Sequence, residues 1–376
     1  MNKKVFLSSP HMSDDGFEQQ FIKEAFDTNW IAPLGENVNK FEEELADYVG
    51  INNAVALSAG TAALHMSLKA VGIKEGDIVF CSSLTFSATA NPIIYEKAIP
   101  VFIDSEEDTW NMDPNALKKA FEKYPNVKAV MVVHLYGTPA KIDEISKICE
   151  EYNVPLIEDA AESLGATLNN KQTGTFGDYG VYSFNGNKII TTSGGGMLIS
   201  NNKEKMEKVK FWITQSREKE RHYEHKEIGY NYRMSNVLAG IGRGQLKILN
   251  DRISKKTEIY NRYKDAFKGI KEIKMQPIPN NTKPNHWLSV ITIDSESSVK
   301  PIDIIIALEN ENIESRPVWK PMHMQPVFEK YDFIKVKADV VSEDLFKRGV
   351  CLPSDTKMTL EEQDKVIKII TNLFNK

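Results

Sequence analysis

The chain has 376 residues, of which 41% are hydrophobic and 26% charged, as is typical of a globular protein. A net charge of −5 without a basic stripe argues against a nucleic-acid partner. The three cysteines (Cys81, Cys149 and Cys351) are far apart, so we expect neither a disulfide framework nor a metal site.

The first half of the chain has the pattern of an α/β protein. Helices are predicted over 14–27 and 39–50, with the loop NWIAPLGENV between them. From residue 53, predicted strands alternate with helices. The strands cover 53–58, 77–83, 99–104, 128–137, 154–162 and 180–183, and the helices cover 59–72, 85–98, 113–123 and 141–153. This alternation predicts a mainly parallel sheet with helices on both faces.

The pattern changes after about residue 235. One or more long helices are predicted over 235–269, and the linker MQPIPNNTKPN follows. A strand over 286–294 and helices near 302–312 and 360–374 predict a smaller α+β segment. We therefore expect a large domain over 1–250 and a small domain over 251–376. No signal peptide or run of about 18 apolar residues is recognised, so we expect a cytoplasmic protein.

Chemically distinctive residues follow the ends of the predicted strands, where ligands collect in parallel sheets. Gly60 and Thr61 open a helix and indicate either a phosphate site or an ordinary turn capped by Thr61. Phe86 is either a core residue or a face for a flat ligand. Asp159 either caps the next turn or pairs with a buried cation, and Glu162 lies three residues further on.

A lysine occupies an unusual setting between the strand GVYS and a run of glycines. Lys188 follows Ser183 by five residues and precedes SGGG at 193–196, which indicates a turn or a close backbone approach. The other glycine cluster, GIGRG at 240–244, lies in a helical pattern and indicates close helix packing. No dinucleotide fingerprint follows the first strand, which disfavours a nicotinamide dehydrogenase.

Pyridoxal phosphate requires four features together: an anion site, an acid for its ring nitrogen, a stacking face and an amine for a Schiff base. The chain resembles the pyridoxal-phosphate-dependent nucleotide-sugar aminotransferases of the DegT/DnrJ/StrS family over nearly its full length. The resemblance is carried by NWIAPLG, SAGTAALH, LTFSATANPI, FIDSEEDTWNMD, VHLYG, IEDAAESLG, YSFNGNKIITTSGGGM, GYNYRMSN and RPVWKPMH. It implies the fold-type I architecture of the aspartate aminotransferase class.

The resemblance also implies roles for individual residues. Lys188 would be the catalytic residue, as Schiff-base lysine and proton carrier, and Asp159 would pair with the ring nitrogen. The implied cofactor contacts are Gly60, Thr61, Phe86, Asp159, Glu162, Ser183, Lys188 and Asn231, the last reaching the phosphate of the neighbouring subunit in a homodimer. The implied substrate contacts are Asn29, Trp30, Ile31, Ala32, Asn187, Arg217 and His323. For Trp30, packing on the sheet stays open, and for Arg217 and His323 a solvated surface position stays open.

The motifs SFNGNKIITTSGGGM and NWIAPLG are most similar to those of enzymes that aminate UDP-4-keto-6-deoxy-N-acetylglucosamine at C4 in bacillosamine-type pathways (EC 2.6.1.34). The expected donor is an amino acid, L-glutamate by resemblance. Related dehydratases replace the lysine with histidine, so Lys188 favours transamination. The alternatives are an aminotransferase for a dTDP- or GDP-linked keto sugar and a non-catalytic cofactor-binding regulator.

Overall fold

The computed structural model describes residues 4–375. Its α-helices are α1 (Phe17–Asp27), α2 (Glu36–Val49), α3 (Gly60–Val71), α4 (Ser87–Tyr95), α5 (Pro114–Lys123), α6 (Ile142–Glu151), α7 (Lys203–Trp212), α8 (Asn236–Lys247), α9 (Leu249–Phe267), α10 (Pro301–Glu309), α11 (Val341–Arg348) and α12 (Leu360–Phe374). Its strands are β1 (Asn53–Leu57), β2 (Ile78–Ser82), β3 (Ile99–Ile103), β4 (Ala129–Val133), β5 (Leu156–Asp159), β6 (Thr167–Leu168), β7 (Lys171–Gln172), β8 (Tyr179–Ser183), β9 (Gly196–Ser200), β10 (Ile273–Met275), β11 (Thr282–Lys283), β12 (Ser289–Ile293), β13 (Arg316–Pro317), β14 (Phe333–Ile334) and β15 (Gly349–Leu352).

The central sheet has the strand order β1-β9-β8-β5-β4-β2-β3-β14. Strands β8, β5, β4, β2, β3 and β14 run parallel, and β9 is antiparallel to both of its neighbours. The prediction of a mainly parallel sheet is therefore confirmed. Because parallel strands end on one edge, the residues that follow β5 and β8 lie close together.

Helices cover both faces of this sheet, as the uniformly apolar strands predict. In β2, Val79 and Cys81 pack in the core beneath α3 and α4. Phe80 points to the opposite face, where it packs edge-on against Phe121 of α5 with ring centroids 5.1 Å apart. Within the part of the chain that the structure describes, no helix has the length and apolarity to cross a membrane.

The C-terminal part contains a second, four-stranded antiparallel sheet in the order β10-β12-β15-β13. Helices α9, α10 and α12 pack on it. Near the other end of the chain, Val5 forms a β-bridge with Ile313 and joins the same core. The predicted domain boundary between residues 250 and 251 falls inside α9, and the division into two domains stays a prediction.

Three predicted elements have different bounds in the structure. The strand predicted over 128–137 stops at Val133, because the chain turns at Leu135–Gly137 with Tyr136 at a φ of 56°. The long helical region over 235–269 divides into α8 and α9 at Ile248. The helix predicted from Asp14 begins at Phe17, since Gly16 at its N-cap has a φ of 70°.

The glycines of α8 allow close helix packing, as their pattern predicts. A Cβ on Gly240 would lie 2.9 Å from the Asn37 side chain, and one on Gly242 would lie 2.6 Å from the Phe41 ring. Phe41 is fully buried, so its ring has no space into which to move. Helices α1 and α2 can approach α8 this closely only because Gly240 and Gly242 have no side chains.

We predict that Gly242→Ala destabilises the protein by about 1–3 kcal/mol through overpacking against Phe41. Gly269→Ala is the matched control, because a Cβ there has no neighbour within 4 Å. Chemical denaturation of both variants measures the difference. Equal stability of the two variants would show that α8 does not need a glycine at this contact.

Candidate active site

A cavity of about 790 Å³ lies at the edge of the central sheet where β5 and β8 end. One wall consists of the start of α3 and the loop that carries Lys188. The C-terminal part of the chain supplies the opposite wall, through Trp287 and the segment 316–320. The cavity thus brings together residues more than a hundred positions apart.

Lys188 extends into this cavity, and its side chain is only 12% exposed. Its Nζ lies 3.7 Å from Oε1 of Glu162 and 4.2 Å from the centre of the Trp287 ring. The indole therefore provides a cation–π contact, and the carboxylate provides an opposite charge. These neighbours confine the amine to the space above the end of β5.

Asp159 is the last residue of β5 and is almost completely buried. Its Oδ2 accepts a hydrogen bond of 2.6 Å from Oγ1 of Thr89, and its Oδ1 accepts one of 3.1 Å from the Ala161 amide. Burial raises the pKa of the Asp159 carboxyl, although these hydrogen bonds and the charge of Lys188 oppose the rise. The Ala161 bond shows that Asp159 does cap the following turn as well as facing the cavity.

The preceding residue shows why only one of two adjacent acids faces the cavity. Side chains alternate across a strand, so Glu158 points to the opposite side from Asp159. Glu158 contacts Nε2 of His134 at 2.9 Å and accepts hydrogen bonds from the amides of Gly174, Phe176 and Gly177. Glu158 is thus satisfied within the protein, whereas Asp159 can serve a ligand.

Glu162 lies beyond the strand end and is also buried. Its Oε2 accepts a 2.7 Å hydrogen bond from the amide of Tyr136, a residue in the turn that follows β4. Burial raises the pKa of the Glu162 carboxyl to about 7, against the lowering effect of Lys188. The group is therefore able to exchange a proton with its neighbours near neutral pH.

The first turn of α3 has no side-chain cap, because Ala59 occupies the N-cap position. The alternative that Thr61 caps an ordinary turn is therefore wrong. The backbone approaches closely here: a Cβ on Gly60 would lie 3.0 Å from Cβ of Ser183, and one on Gly196 would lie 2.5 Å from the Gly60 nitrogen. Uncapped amides and the Ser183 hydroxyl together suit a phosphate group.

Phe86 borders the same cavity at the start of α4 and is 56% exposed. The alternative that it is a core residue is therefore wrong. Its ring lies 5.5 Å from that of Trp319 across the cavity, at an angle of 52°. An exposed aromatic at this position leaves a face available to a flat ligand.

Comparison with known proteins decides the family. The DegT/DnrJ/EryC1/StrS aminotransferase family matches residues 12–371 of the chain. The chain belongs to this family. Aminotransferases of the DegT family depend on pyridoxal phosphate.

Individual relatives extend over nearly the whole chain. EpsN of Bacillus subtilis (strain 168), provisionally named as a pyridoxal phosphate-dependent aminotransferase, is 53% identical over 380 residues, which cover 100% of this chain and 97% of EpsN. GDP-perosamine synthase of Escherichia coli O157:H7 is 34% identical and covers 96% of each chain. The crystal structure of a DegT DnrJ EryC1 StrS aminotransferase from Brucella abortus is 29% identical, covers 96% of each chain and superimposes with a TM-score of 0.88.

The residues that line the cavity fit the chemical groups of pyridoxal phosphate. The uncapped start of α3 and Ser183 suit the phosphate, the buried Asp159 suits the ring nitrogen, and Lys188 suits the aldehyde. Phe86 provides the flat face. These assignments stay predictions for the individual residues, but the structure brings all of them to one cavity.

Among the predicted substrate contacts, Asn187 borders the cavity and the others do not. Asn29, Trp30 and Ile31 are exposed outside it, and the Ala32 carbonyl accepts a 2.8 Å hydrogen bond from Asn236. Trp30 is 50% exposed. The alternative that Trp30 packs on the sheet is therefore not supported either.

Arg217, Asn231 and His323 also lie outside the cavity lining. Arg217 is exposed, with its guanidinium 4.4 Å from the centre of the Tyr223 ring. Asn231 is exposed and forms a β-bridge with Thr214. His323 is neither a surface residue nor a cavity residue in this chain. It contacts Oγ of Ser83 at 2.7 Å, it stacks on Phe333, and burial lowers its pKa.

The sequence interpretation missed four residues that shape the DegT-family site. Thr89 holds Asp159, Trp287 contacts Lys188, and Arg316 and Lys320 add two cations to the wall. The three-residue spacing between Phe86, at the N-cap of α4, and Thr89 was a usable signal, since both residues lie near the end of β2. Nothing in the local pattern around Trp287 indicated its position, because the contact spans 99 residues of chain.

From the raised pKa of Glu162 we predict how the stability of the cofactor-free protein depends on pH. The folded state binds the Glu162 proton more tightly than the unfolded state, in which the pKa is about 4.3. The stabilising contribution is therefore present at low pH and lost as pH rises towards about 7. The fall in melting temperature between pH 5 and pH 8 should be smaller in Glu162→Gln than in the wild type. Glu24→Gln, at an exposed position of α1, is the control. If the melting temperature of Glu162→Gln falls as much as that of the wild type, the raised pKa of Glu162 is refuted.

Proposed function

We propose that the chain is a nucleotide-sugar aminotransferase. It transfers an amino group from an amino acid, L-glutamate, to C4 of UDP-4-keto-6-deoxy-N-acetylglucosamine. The observation that carries the proposal is the shielded amine of Lys188 beside Asp159 and Glu162 in one cavity. A lysine that served only solubility would not be buried beside two acids.

When bound, pyridoxal phosphate supplies an electron sink for the carbanion that forms at the amine-bearing carbon. Lys188 supplies the proton transfer. Its Nζ would take a proton from the amine-bearing carbon of the donor and, when the amino group reaches the sugar, a proton would be delivered by Nζ to C4, so that the lysine ends in its starting state. Confinement by Trp287 and Glu162 keeps Nζ within the cavity and so limits the geometries that it samples.

The two acids have different environments and therefore different tasks. Asp159, held by Thr89 and the Ala161 amide, faces the cavity and would keep the ring nitrogen of the cofactor protonated. Glu162 lies beside Nζ with a pKa of about 7, so it balances the charge of Lys188 as the lysine gains and loses its proton. Burial raises the pKa of both carboxyl groups, and perturbed pKa values of this kind cluster at functional sites.

Two further cations support a sugar nucleotide as the substrate. Arg316 and Lys320 lie on the wall opposite the cofactor features, and neither is needed by the cofactor. Arg316 is exposed and pairs with Glu314 at 2.8 Å. Guanidinium and ammonium groups are the usual partners of diphosphates. The cavity of about 790 Å³ also lies within the range that suits ligands larger than an amino acid.

A GDP-linked keto sugar is the second candidate substrate. The similarity to the GDP-perosamine synthase of Escherichia coli favours it, at 34% identity over 96% of the chain. The motif resemblance around Lys188 favours the UDP sugar. A dTDP-linked keto sugar stays an alternative, because Arg316 and Lys320 would contact the diphosphate and not the nucleoside.

A homodimer with shared sites is part of the proposal. Asn231 and the segment 29–32 are placed on the outside of their own subunit and away from its cavity. Their predicted roles therefore require the cavity of a second copy. We propose that they serve the cofactor phosphate and the sugar nucleotide there, in a cytoplasmic enzyme.

The covalent link provides a direct test of Lys188. Borohydride reduction of the cofactor-loaded protein, followed by peptide mass spectrometry, should place the cofactor on Lys188. Lys320 lines the same cavity, so Lys320→Met is the matched control and should retain the label. Lys188→Met should lose it. A label on Lys320 in the wild type would overturn the assignment.

The substrate is tested with a panel of keto sugars. The purified enzyme is loaded with the amino group from L-glutamate and then mixed with UDP-, GDP- and dTDP-linked 4-keto-6-deoxy sugars. We expect the highest kcat/KM for UDP-4-keto-6-deoxy-N-acetylglucosamine. A higher value for the GDP-linked sugar would instead support the second candidate, and no turnover of any sugar would support a regulator.

A further inference from the structure

A second buried lysine lies beneath the candidate site. Lys256 of α9 is only 2% exposed. Its Nζ donates hydrogen bonds to the Trp287 carbonyl at 2.9 Å and to Oγ of Ser8 at 3.2 Å. Both acceptors are neutral. Burying a cation without a paired carboxylate is costly, so a side chain of this kind calls for an explanation.

Both partners of Lys256 converge on one backbone carbonyl. Oγ of Ser8 donates to the Asn187 carbonyl at 3.0 Å, and Nε1 of Trp287 donates to the same oxygen at 2.7 Å. Asn187 immediately precedes Lys188. The ring of Trp287 in turn lies 4.2 Å from Nζ of Lys188. The backbone before Lys188 and the surface against its amine are thus both tied to Lys256.

We propose that Lys256 is a positioning residue for Lys188, acting through Ser8 and Trp287. The proposal rests on the proposed role of Lys188 in the transfer. Lys256 does not touch the reacting atoms. Its hydrogen bonds hold the Trp287 backbone and the Ser8 hydroxyl in place. The Ser8 hydroxyl and the Trp287 indole in turn donate to the Asn187 carbonyl, which fixes both that carbonyl and the plane of the indole.

The electrostatic setting of Lys256 agrees with this role. The pKa of Lys256 is lowered to about 7, chiefly by burial, while Asp355 opposes the lowering and Arg252 adds to it. A neutral amine still carries two N–H donors, so both hydrogen bonds survive deprotonation. The contact is therefore preserved on both sides of neutral pH, as a positioning role requires.

The test compares Lys256→Met with Lys255→Met. Methionine retains the volume of the lysine but lacks the donors. Lys255 is the adjacent residue of α9, with a partly exposed side chain paired to Glu258 at 3.3 Å. In Lys256→Met we expect kcat to fall by about 10- to 100-fold with little change in KM, since misplacement affects the proton transfer more than binding. Lys255→Met should match the wild type.

A second readout needs neither cofactor nor turnover. Cofactor-free protein is treated with limiting acetic anhydride across a pH series, and the labelling of Lys188 is quantified by mass spectrometry. The pH profile of Lys188 labelling should shift in Lys256→Met and stay unchanged in Lys255→Met. Unchanged kcat and an unchanged profile in a folded Lys256→Met would overturn the proposal.

Ser8→Ala extends the test through the same network. Because Ser8 is held by Lys256, the double variant should lose little more kcat than Lys256→Met alone, whereas independent effects would multiply. If Lys256→Met does not fold, Ser8→Ala decides, since an unchanged kcat and Lys188 profile would overturn the proposal. Borohydride reduction of the wild type separates the two proposals. If the cofactor is not found on Lys188, the proposed function is refuted, while the pH profile of Lys188 acetylation still tests the positioning role of Lys256.

Discussion

The burial of Asp159 at the end of β5 is the constraint on which the site depends. A carboxylate in that position needs donors, and Thr89 and the Ala161 amide provide them from α4 and the following turn. The strand alternation then directs Glu158 towards His134, so that Asp159 is the acid of β5 that faces the cavity. Once this acid is fixed, Lys188 and Glu162 complete a charged group that the surrounding sheet shields from water.

The placement of several candidate residues at the sheet edge was predictable from the sequence, because it depends on where parallel strands end. Lys188, Asp159, Glu162, Gly60, Ser183 and Phe86 all border one cavity as expected. Residues such as Gly60 and Asp159 are recognisable locally, since a strand followed by glycine or by an acid is visible within a few positions. The parallel sheet itself follows from the alternation of strands and helices.

The parts that could not be predicted are those that depend on distant packing. Trp287 lies just before β12 in a segment without a distinctive sequence pattern. Only the folded structure shows that its ring contacts Lys188. The two-residue strands, such as β13 at Arg316–Pro317, carry no periodic pattern that a sequence could reveal. Arg217 and His323 were assigned by motif alone, and the motifs did not indicate that both side chains lie outside the cavity of their own subunit.

The pairing of Ser8 with Asn187 has a consequence for how the site forms during synthesis. The central sheet is complete in sequence by Ser200, apart from the short edge strand β14, but the Lys188 loop is still without its indole neighbour at that stage. Ser8 can form its hydrogen bond with Lys256, and Val5 its β-bridge with Ile313, only after these later residues have been synthesised. Residues near the start of the chain therefore reach their final positions late. Contacts of this sequence separation form late because closing long loops costs chain entropy. The lining of the cavity includes Trp319 and Cys351, so its walls are complete only when most of the chain has been synthesised.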